Sequence, residues 1–498
     1  MNWFQRTRKL PAVRPGDYLT PQKKSNFFLA GLNYYDDTPL IVKRDGPTHA
    51  IYYGGTGSGK SAMMAFAIEQ AIHAGESVFV VDLKGSDYML YAAMCKAAER
   101  CGIDPPKYLT NRHGDSTYLV PVLQADWWKH GFSQVEKADA LVAALGLSDA
   151  QSHDWWPDAA EALFSFVTEE VDPDEADTFV KFFDLLQRRK RDLPKELRNA
   201  TIHAEILAQR LARVQMFNPP ENCPIEVLEN AVDLQDLVRK DQQQLVFVSL
   251  SSIRTQKTAS TIARFLGRAL LLAADGLKQS ERGSLWVGYD EAQRSLGPGW
   301  IDLALTLSRS SAGISFNAGF QDISVLRQRG TDYTALFDEN AHLQFMFAAQ
   351  GPEAIKRQVM LSGERLEYNY SKTYTYPGLI SHRSWSETFT GQITNRFTTN
   401  DVLAVSADPQ RFIFRSTKDT ELCQLGGLPV MAKILWHIPK SEFDRRSEIE
   451  WPAPCNRTLV CGQRSQRALA SAAKNVPVPS TGIPTPTERP IVLRPPRR

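Results

Sequence analysis

His49-Ala50-Ile51-Tyr52-Tyr53 runs directly into Gly54-Gly55-Thr56-Gly57-Ser58-Gly59-Lys60-Ser61, a short apolar strand followed by a glycine-rich loop that closes on lysine and serine. The spacing is G-x-x-x-x-G-K-[ST]. In a strand–loop–helix context it predicts a loop that wraps the phosphates of a nucleotide. Glycines let successive backbone N–H groups curl around an anion, and the helix that follows points its positive end at the same place. On this reading Lys60 reaches the β- and γ-phosphates and the Ser61 hydroxyl ligates Mg²⁺, so the expected ligand is ATP or GTP with Mg²⁺. The helix is legible too: Ala62 to Ala74 is rich in Ala, Met, Phe and Ile, and Gly75 is a natural C-terminal stop.

Working outward, Ser77-Val78-Phe79-Val80-Val81-Asp82 is a continuous apolar run ending in an acid. That is the pattern of a central parallel strand whose polar residue sits at the carboxyl end, beside the ligand crevice. Further strands are expected at Gln244–Leu250, Leu285–Asp290, Gly313–Phe320 and Leu343–Ala349, with a helix from Thr258 to Ala274. Strands alternating with helices of this length predict an α/β fold with a mainly parallel central sheet covered on both faces. Between residues 149 and 237 the pattern changes. Pro157–Glu170, Ala176–Asp192 and Thr201–Phe217 carry helical periodicity and no strand-like run intervenes, so this stretch reads as an inserted all-α domain. The nucleotide-binding domain then comprises 48–148 and 238–455, preceded by a basic, proline-punctuated lead-in over 1–47 with a possible strand at Leu40–Val42. Residues 456–498 read as a basic, proline-rich disordered tail.

The chain has 498 residues, enough for a large core and more than one structural unit, and a net charge of +2 that excludes neither nucleic acid nor protein partners. Its six cysteines include no C-x-x-C pair and its nine histidines no ligand spacing, so reduced thiols and no structural metal are expected. No stretch approaches the roughly 20 apolar residues of a membrane span, and the polar, basic start has no signal-peptide centre. A cytoplasmic protein is expected.

Hydrolysis needs an acid for the Mg²⁺ shell and a second to activate water. Asp290-Glu291, at the end of Leu285-Trp286-Val287-Gly288-Tyr289, supplies both: Asp290 to hold Mg²⁺ through water, Glu291 as general base. A glutamate in that position favours turnover over passive binding and differs from the small GTPases, which position water with glutamine. Gln321, at the end of the following strand, is a candidate for contact with the γ-phosphate or the attacking water.

Taken together, Gly55–Ser61, Val80-Val81-Asp82-Leu83-Lys84-Gly85, Tyr289-Asp290-Glu291, Ser308-Arg309-Ser310-Ser311-Ala312-Gly313-Ile314 and Gln321 resemble the type IV secretion coupling proteins. These are the hexameric DNA-pumping ATPases of conjugation, related to the chromosome-segregation and HerA-type translocases. The resemblance extends through Glu339-Asn340-Ala341 and Arg396–Leu403 and spans most of residues 48–440. It implies a RecA-like P-loop fold, ATP and Mg²⁺ as cofactors, and a homo-hexamer that moves DNA together with a relaxase or another relaxosome protein. It also implies that Arg309 is an arginine finger reaching a neighbour's γ-phosphate. Lys84 matches the family pattern, with a surface lysine as the competing reading. Family members usually begin with two membrane helices, which this sequence lacks. A membrane-anchored secretion component on a separate chain would then hold the protein at the inner membrane.

Substrate-facing residues are harder to read. Arg188-Arg189-Lys190-Arg191 is the densest basic run, either a DNA contact or a solvated helix end. Trp127-Trp128 and Trp155-Trp156 read as core before partner anchors. Alternative functions are a coupling ATPase for protein effectors, a soluble translocase of a phage-defence or packaging system, and a docking platform controlled by nucleotide.

Overall fold

The computed structural model describes residues 27–434 apart from 44–45, 86–87, 113–117, 146–171, 173, 191–194, 199–200, 222, 298–299, 307–312, 329–330, 349–350, 376–383, 409 and 418–426. Arg309, Arg191, Trp155, Trp156, the helix expected at Pro157–Glu170 and the tail 456–498 lie outside the described residues.

An 11-stranded sheet organises the chain. Its parallel part is built from β3 (Ala50–Tyr53), β4 (Ser77–Asp82), β5 (Lys107–Thr110), β6 (Leu245–Ser249), β7 (Leu285–Asp290), β8 (Ile314–Phe320) and β11 (Leu343–Met346), in the spatial order β11-β3-β8-β7-β4-β6-β5. The alternation of β4 explains its unbroken apolar run. Val78 and Val80 face helices α1 (Lys60–His73) and α2 (Tyr88–Cys101), while Phe79 and Val81 face the core beneath the long helix Ser252–Asp275. A strand buried on both faces has no solvent side to keep polar. The fold is the α/β architecture expected.

Within residues 1–47, β2 (Pro39–Lys43) falls on the possible strand at Leu40–Val42, and β1 (Phe27–Asn33), which the lead-in reading did not contain, completes a strand pair with it. With β14 (Arg411–Ser416) and β15 (Val430–Lys433) the pair extends the sheet beyond β11 in the order β2-β1-β15-β14-β11, every pairing antiparallel. Phe28, Leu29, Ala30, Ile41 and Val42 are buried there. Buried Gln70 of α1 fixes the pair, donating from Nε2 to the Leu29 carbonyl (3.1 Å) and accepting the Leu29 N–H at Oε1 (2.9 Å). The pairing depends on partners some 400 residues away in sequence, a signal that local periodicity does not contain. Two small additions complete the strands: a short ladder of β9 (Arg327–Gln328) and β10 (Thr331–Asp332), and a long hairpin of β12 (Glu364–Thr375) and β13 (Ser384–Asn395).

The helical stretch is present in its described part as Phe179–Arg189, Thr201–Ala212 and shorter helices. Its apolar residues join the core under the sheet: Phe179 and Phe217 meet Phe265 of the long helix edge to face, with centroids at 5.2 and 5.6 Å. Trp127 and Trp128 are buried in the same core, Trp127 donating its indole N–H to Asp233 (2.9 Å) and Trp128 lying against Phe265. Arg188 and Arg189 end the helix Phe179–Arg189, where cations complement the exposed carbonyls, and Lys190 pairs with Glu205 at 2.7 Å. Among the described residues no helix is long and apolar enough to cross a membrane.

Candidate nucleotide-binding and hydrolytic site

The site forms at the carboxyl ends of β3, β4, β7 and β8. After β3 the chain turns through Gly54–Gly59. Gly57 (φ 79°) and Gly59 (φ 97°) take left-handed backbone conformations that a side chain would strain. The Gly54 N–H donates to the Phe320 carbonyl at 3.1 Å, pinning the loop to the tip of β8. Helix α1 then begins at Lys60 with no side-chain cap and no acid in its first turn. The positive end of its dipole therefore faces the loop without a competing side-chain cap or acid, in the geometry that favours phosphate. Thr56 and Gly57 are exposed and Gly55, Ser58 and Ser61 half-buried, whereas Lys60 is buried at 4 % exposure.

Facing this loop is a buried acidic edge. Asp82 and Asp290 are register partners on β4 and β7, and both are fully buried. Glu291, at 1 % exposure, follows directly. Lys60 Nζ stands 3.9 Å from Glu291 Oε1. Lys84 Nζ stands 3.5 Å from Asp290 Oδ2 and 3.9 Å from Glu291 Oε1, and Arg294 Nε lies 4.0 Å from Glu291 Oε2. Ion pairs this deep are stable only where the geometry is tight or a ligand completes it. Here Glu291 Oε1 accepts no hydrogen bond, and its distances to both lysines exceed hydrogen-bond range. The gaps suit a water or phosphate oxygen between carboxylate and ammonium. Gly319 of β8 keeps the space beside Asp290 open, since a Cβ there would lie 3.0 Å from Asp290 Oδ1 and 3.1 Å from Met64 Sδ. The residues thus fit a nucleotide phosphate with its cation: a cradle of N–H groups, a hydroxyl at Ser61, and a carboxylate at Asp290.

Glu291 also carries backbone strain. Its φ of 57° and ψ of 43° are left-handed in a residue that is neither glycine nor asparagine, which costs about 1–3 kcal/mol. Gln293 Nε2 donates to Glu291 Oε2. Neither the strain nor the Gln293 contact is written in the local sequence pattern.

Lys84, with two readings open from sequence, sits in the cluster. Asp82 Oδ1 accepts the Lys84 N–H (2.8 Å), and the Ser252 hydroxyl donates to the Leu83 carbonyl (2.6 Å). Gly85 (φ 67°) packs so closely that a Cβ would come within 2.6–2.7 Å of the Ser251 backbone. The Asp82–Gly85 turn is therefore clamped between β4 and the start of the long helix, which aims Lys84 at the acids. Gln321 is placed differently. It is exposed, one residue past β8, and lines the cleft beside Gly54, Phe347 and Arg357 on the β3–β11 side of the loop.

A sequence model described as the type IV secretion-system coupling protein DNA-binding domain matches residues 38–378. Among solved structures, the bacterial conjugative coupling protein TrwBdeltaN70 in its unbound form is similar at 13 % identity, covering 85 % of this chain and 92 % of its own, with a TM-score of 0.55. The plasmid coupling protein TrwB in complex with ADP and Mg²⁺ gives 12 % identity, 84 % and 91 % coverage and a TM-score of 0.56. VirB4 of Thermoanaerobacter pseudethanolicus gives 12 % identity, 84 % and 99 % coverage and a TM-score of 0.50. At these identities the structural likeness speaks for the shared fold. No curated protein sequence matches the chain.

Proposed function

The chain belongs to the type IV secretion-system coupling protein family, and from that premise we propose that it is an ATP-hydrolysing motor that recruits and pumps DNA, free or joined to a relaxase, in conjugation or type IV secretion. The observation that carries the catalytic half of this reading is the buried Lys60–Lys84–Asp290–Glu291 cluster facing an uncapped helix start. TrwB, which shares the fold, has been solved with ADP and Mg²⁺ and with a non-hydrolysable ATP analogue, and this supports ATP and Mg²⁺ here.

The roles follow from chemistry. Backbone N–H groups of Gly54 to Lys60 hold the phosphates, and Lys60 neutralises charge on the β- and γ-oxygens. Ser61 and Asp290 are the residues that would hold Mg²⁺, which when bound supplies charge neutralisation across the same oxygens. Glu291 accepts the proton of the attacking water, a role consistent with a carboxylate oxygen that no hydrogen bond occupies. Lys84 sets its ammonium beside Asp290 and Glu291 and orients the two carboxylates. Gln321 contacts the γ-phosphate side from the neighbouring strand tip. Arg309, on the segment after Ile301–Thr306, completes a neighbouring subunit's pocket within a homo-hexamer and couples turnover to assembly. The stretch 149–237 acts as the all-α domain flanked by nucleotide-binding segments 48–148 and 238–455, and the protein works on the cytoplasmic side, held at the inner membrane by a membrane-anchored partner chain.

The test is ATP turnover of the purified protein with and without single- and double-stranded DNA, read beside its oligomeric state. Turnover that rises with DNA as the hexamer forms supports the motor; turnover indifferent to DNA contradicts DNA pumping. Mixing Arg309→Ala subunits with Lys60→Ala subunits separates the trans role: the mixture regains activity if each subunit completes the other's pocket and stays inactive if the finger acts within its own chain.

A further inference from the structure

The hairpin β12–β13 carries a feature that the nucleotide site does not use. Its two 12-residue strands pair from Glu364↔Asn395 to Thr375↔Ser384 and form a sheet of their own, about 40 Å long. On the face that also carries the Lys372–Glu387 ion pair, strand alternation places Leu366, Tyr368, Tyr370 and Tyr374, with Phe389 and Ile393 directly opposite Tyr370 and Leu366. All six are more than half exposed, Tyr368 at 68 % and Phe389 and Ile393 at 66 %. The other face carries Arg365, Glu367, Asn369, Ser371 and Thr373 and is polar. Among the described residues nothing covers the apolar stripe.

An isolated two-stranded hairpin is at best marginally stable in water; it needs a further layer against its apolar face. The size of the stripe indicates what kind. Half to two-thirds of six large side chains is roughly 600–700 Å² of apolar surface, above the few hundred Å² tolerated on a free monomer and near the ~800 Å² that each partner contributes to a stable protein interface. The charge argues against nucleic acid. Lys372 is held by Glu387 at 3.2 Å and lies over the Tyr374 ring, and Arg365 pairs with Glu367. Glu364, Glu367 and Glu387 outnumber Arg365 and Lys372 on the two strands, which leaves no cationic excess to neutralise phosphates. We infer that the apolar face of this hairpin is a self-association surface, seated in the assembled protein on a second copy of the chain. The tyrosine hydroxyls suit such a face, since they keep a polar edge while the rings supply area; Tyr370 already donates to Glu387 at 2.6 Å.

The experiment compares the full-length protein with Tyr368→Ser/Phe389→Ser/Ile393→Ser by sedimentation velocity over a concentration series. Far-UV circular dichroism and nucleotide binding serve as folding controls. The expected result is a dissociation constant for self-association raised about tenfold or more with both controls unchanged, and assembly preserved in the conservative pair Tyr368→Phe/Phe389→Tyr. A triple variant that assembles like the wild type overturns the inference. A second readout does not depend on that variant folding: a benzophenone side chain placed at Tyr370 in the otherwise native chain and photolysed in the presence of duplex DNA and anionic phospholipid vesicles. An adduct of twice the chain mass is the expected product. Crosslinks to DNA or lipid alone, or none at all, contradict the second copy as occupant.

Discussion

The strand tips around Asp290 and the β12–β13 hairpin depart from the usual partition of side chains in opposite directions. At the tips, Lys60, Asp82, Asp290 and Glu291 are charged and nearly inaccessible; on the hairpin, Tyr368, Phe389 and Ile393 are apolar and mostly in water. Each departure is unfavourable for the isolated chain, because buried charges lose hydration and exposed rings order solvent. Each therefore marks a place where something else completes the structure. For the tips, the proposed partner is an anion with its cation. For the hairpin, another protein surface supplies the missing burial. The sign of the departure indicates the chemistry of the partner.

Substitutions that act on one region and spare the other sharpen this contrast. The largest effect is expected from Lys60→Ala, which removes the proposed phosphate contact and a counter-charge of Glu291; nucleotide affinity and ATP turnover should each fall by about 10²-fold or more, with the oligomer-forming face untouched. A variant that binds nucleotide normally by titration calorimetry would contradict the placement of the phosphates. Gly319→Ala comes next. Its methyl group crowds Asp290 Oδ1, so turnover should drop roughly tenfold and the Mg²⁺ concentration for half-maximal activity should rise. Unchanged Mg²⁺ dependence would mean that Asp290 is not where the cation is held.

Smaller effects lie away from both regions. Gln70→Leu leaves the Leu29 N–H and carbonyl without their buried partner; a loss of about 1–3 kcal/mol in urea unfolding is expected, with the activity per folded molecule retained. Smallest is a pH effect at His73, whose ring burial holds below the ordinary histidine range, with Glu69 opposing and Arg100 reinforcing the shift. The unfolded chain then protonates first, so stability is full above about pH 6.5 and declines as pH falls below it. His73→Phe should flatten that decline in melting temperature between about pH 6.5 and 5; an unaltered slope would assign it to other groups.

Legibility in the sequence followed the range of the interactions. The phosphate loop, β4, β7 and the Asp290-Glu291 pair are local patterns, and a short window contains their whole signal. Lys84 was visible as a residue but not as a neighbour of Asp290, because the turn that aims it is fixed by Gly85 against Ser251, more than 160 positions away. The possible strand at Leu40–Val42 is β2, but β1 carries no such signal, because its partner β15 comes from the far end of the described chain. The left-handed backbone of Glu291 had no signal at all, since glycine or asparagine is the residue that usually announces it. The hairpin is hidden for the converse reason: apolar and polar residues alternate from Leu366 to Tyr374 apart from Lys372, but the meaning of that pattern depends on what does or does not pack against it.

The central claim is that the buried acids at the tips of β4 and β7 hydrolyse a nucleotide held by the loop at Gly54–Ser61. The most direct measurement is single-turnover hydrolysis of γ-labelled ATP by Glu291→Gln, with nucleotide binding followed in the same sample. The account predicts binding within a few-fold of wild type and hydrolysis slowed by about 10²–10⁴-fold. Hydrolysis at the wild-type rate with binding intact would contradict it.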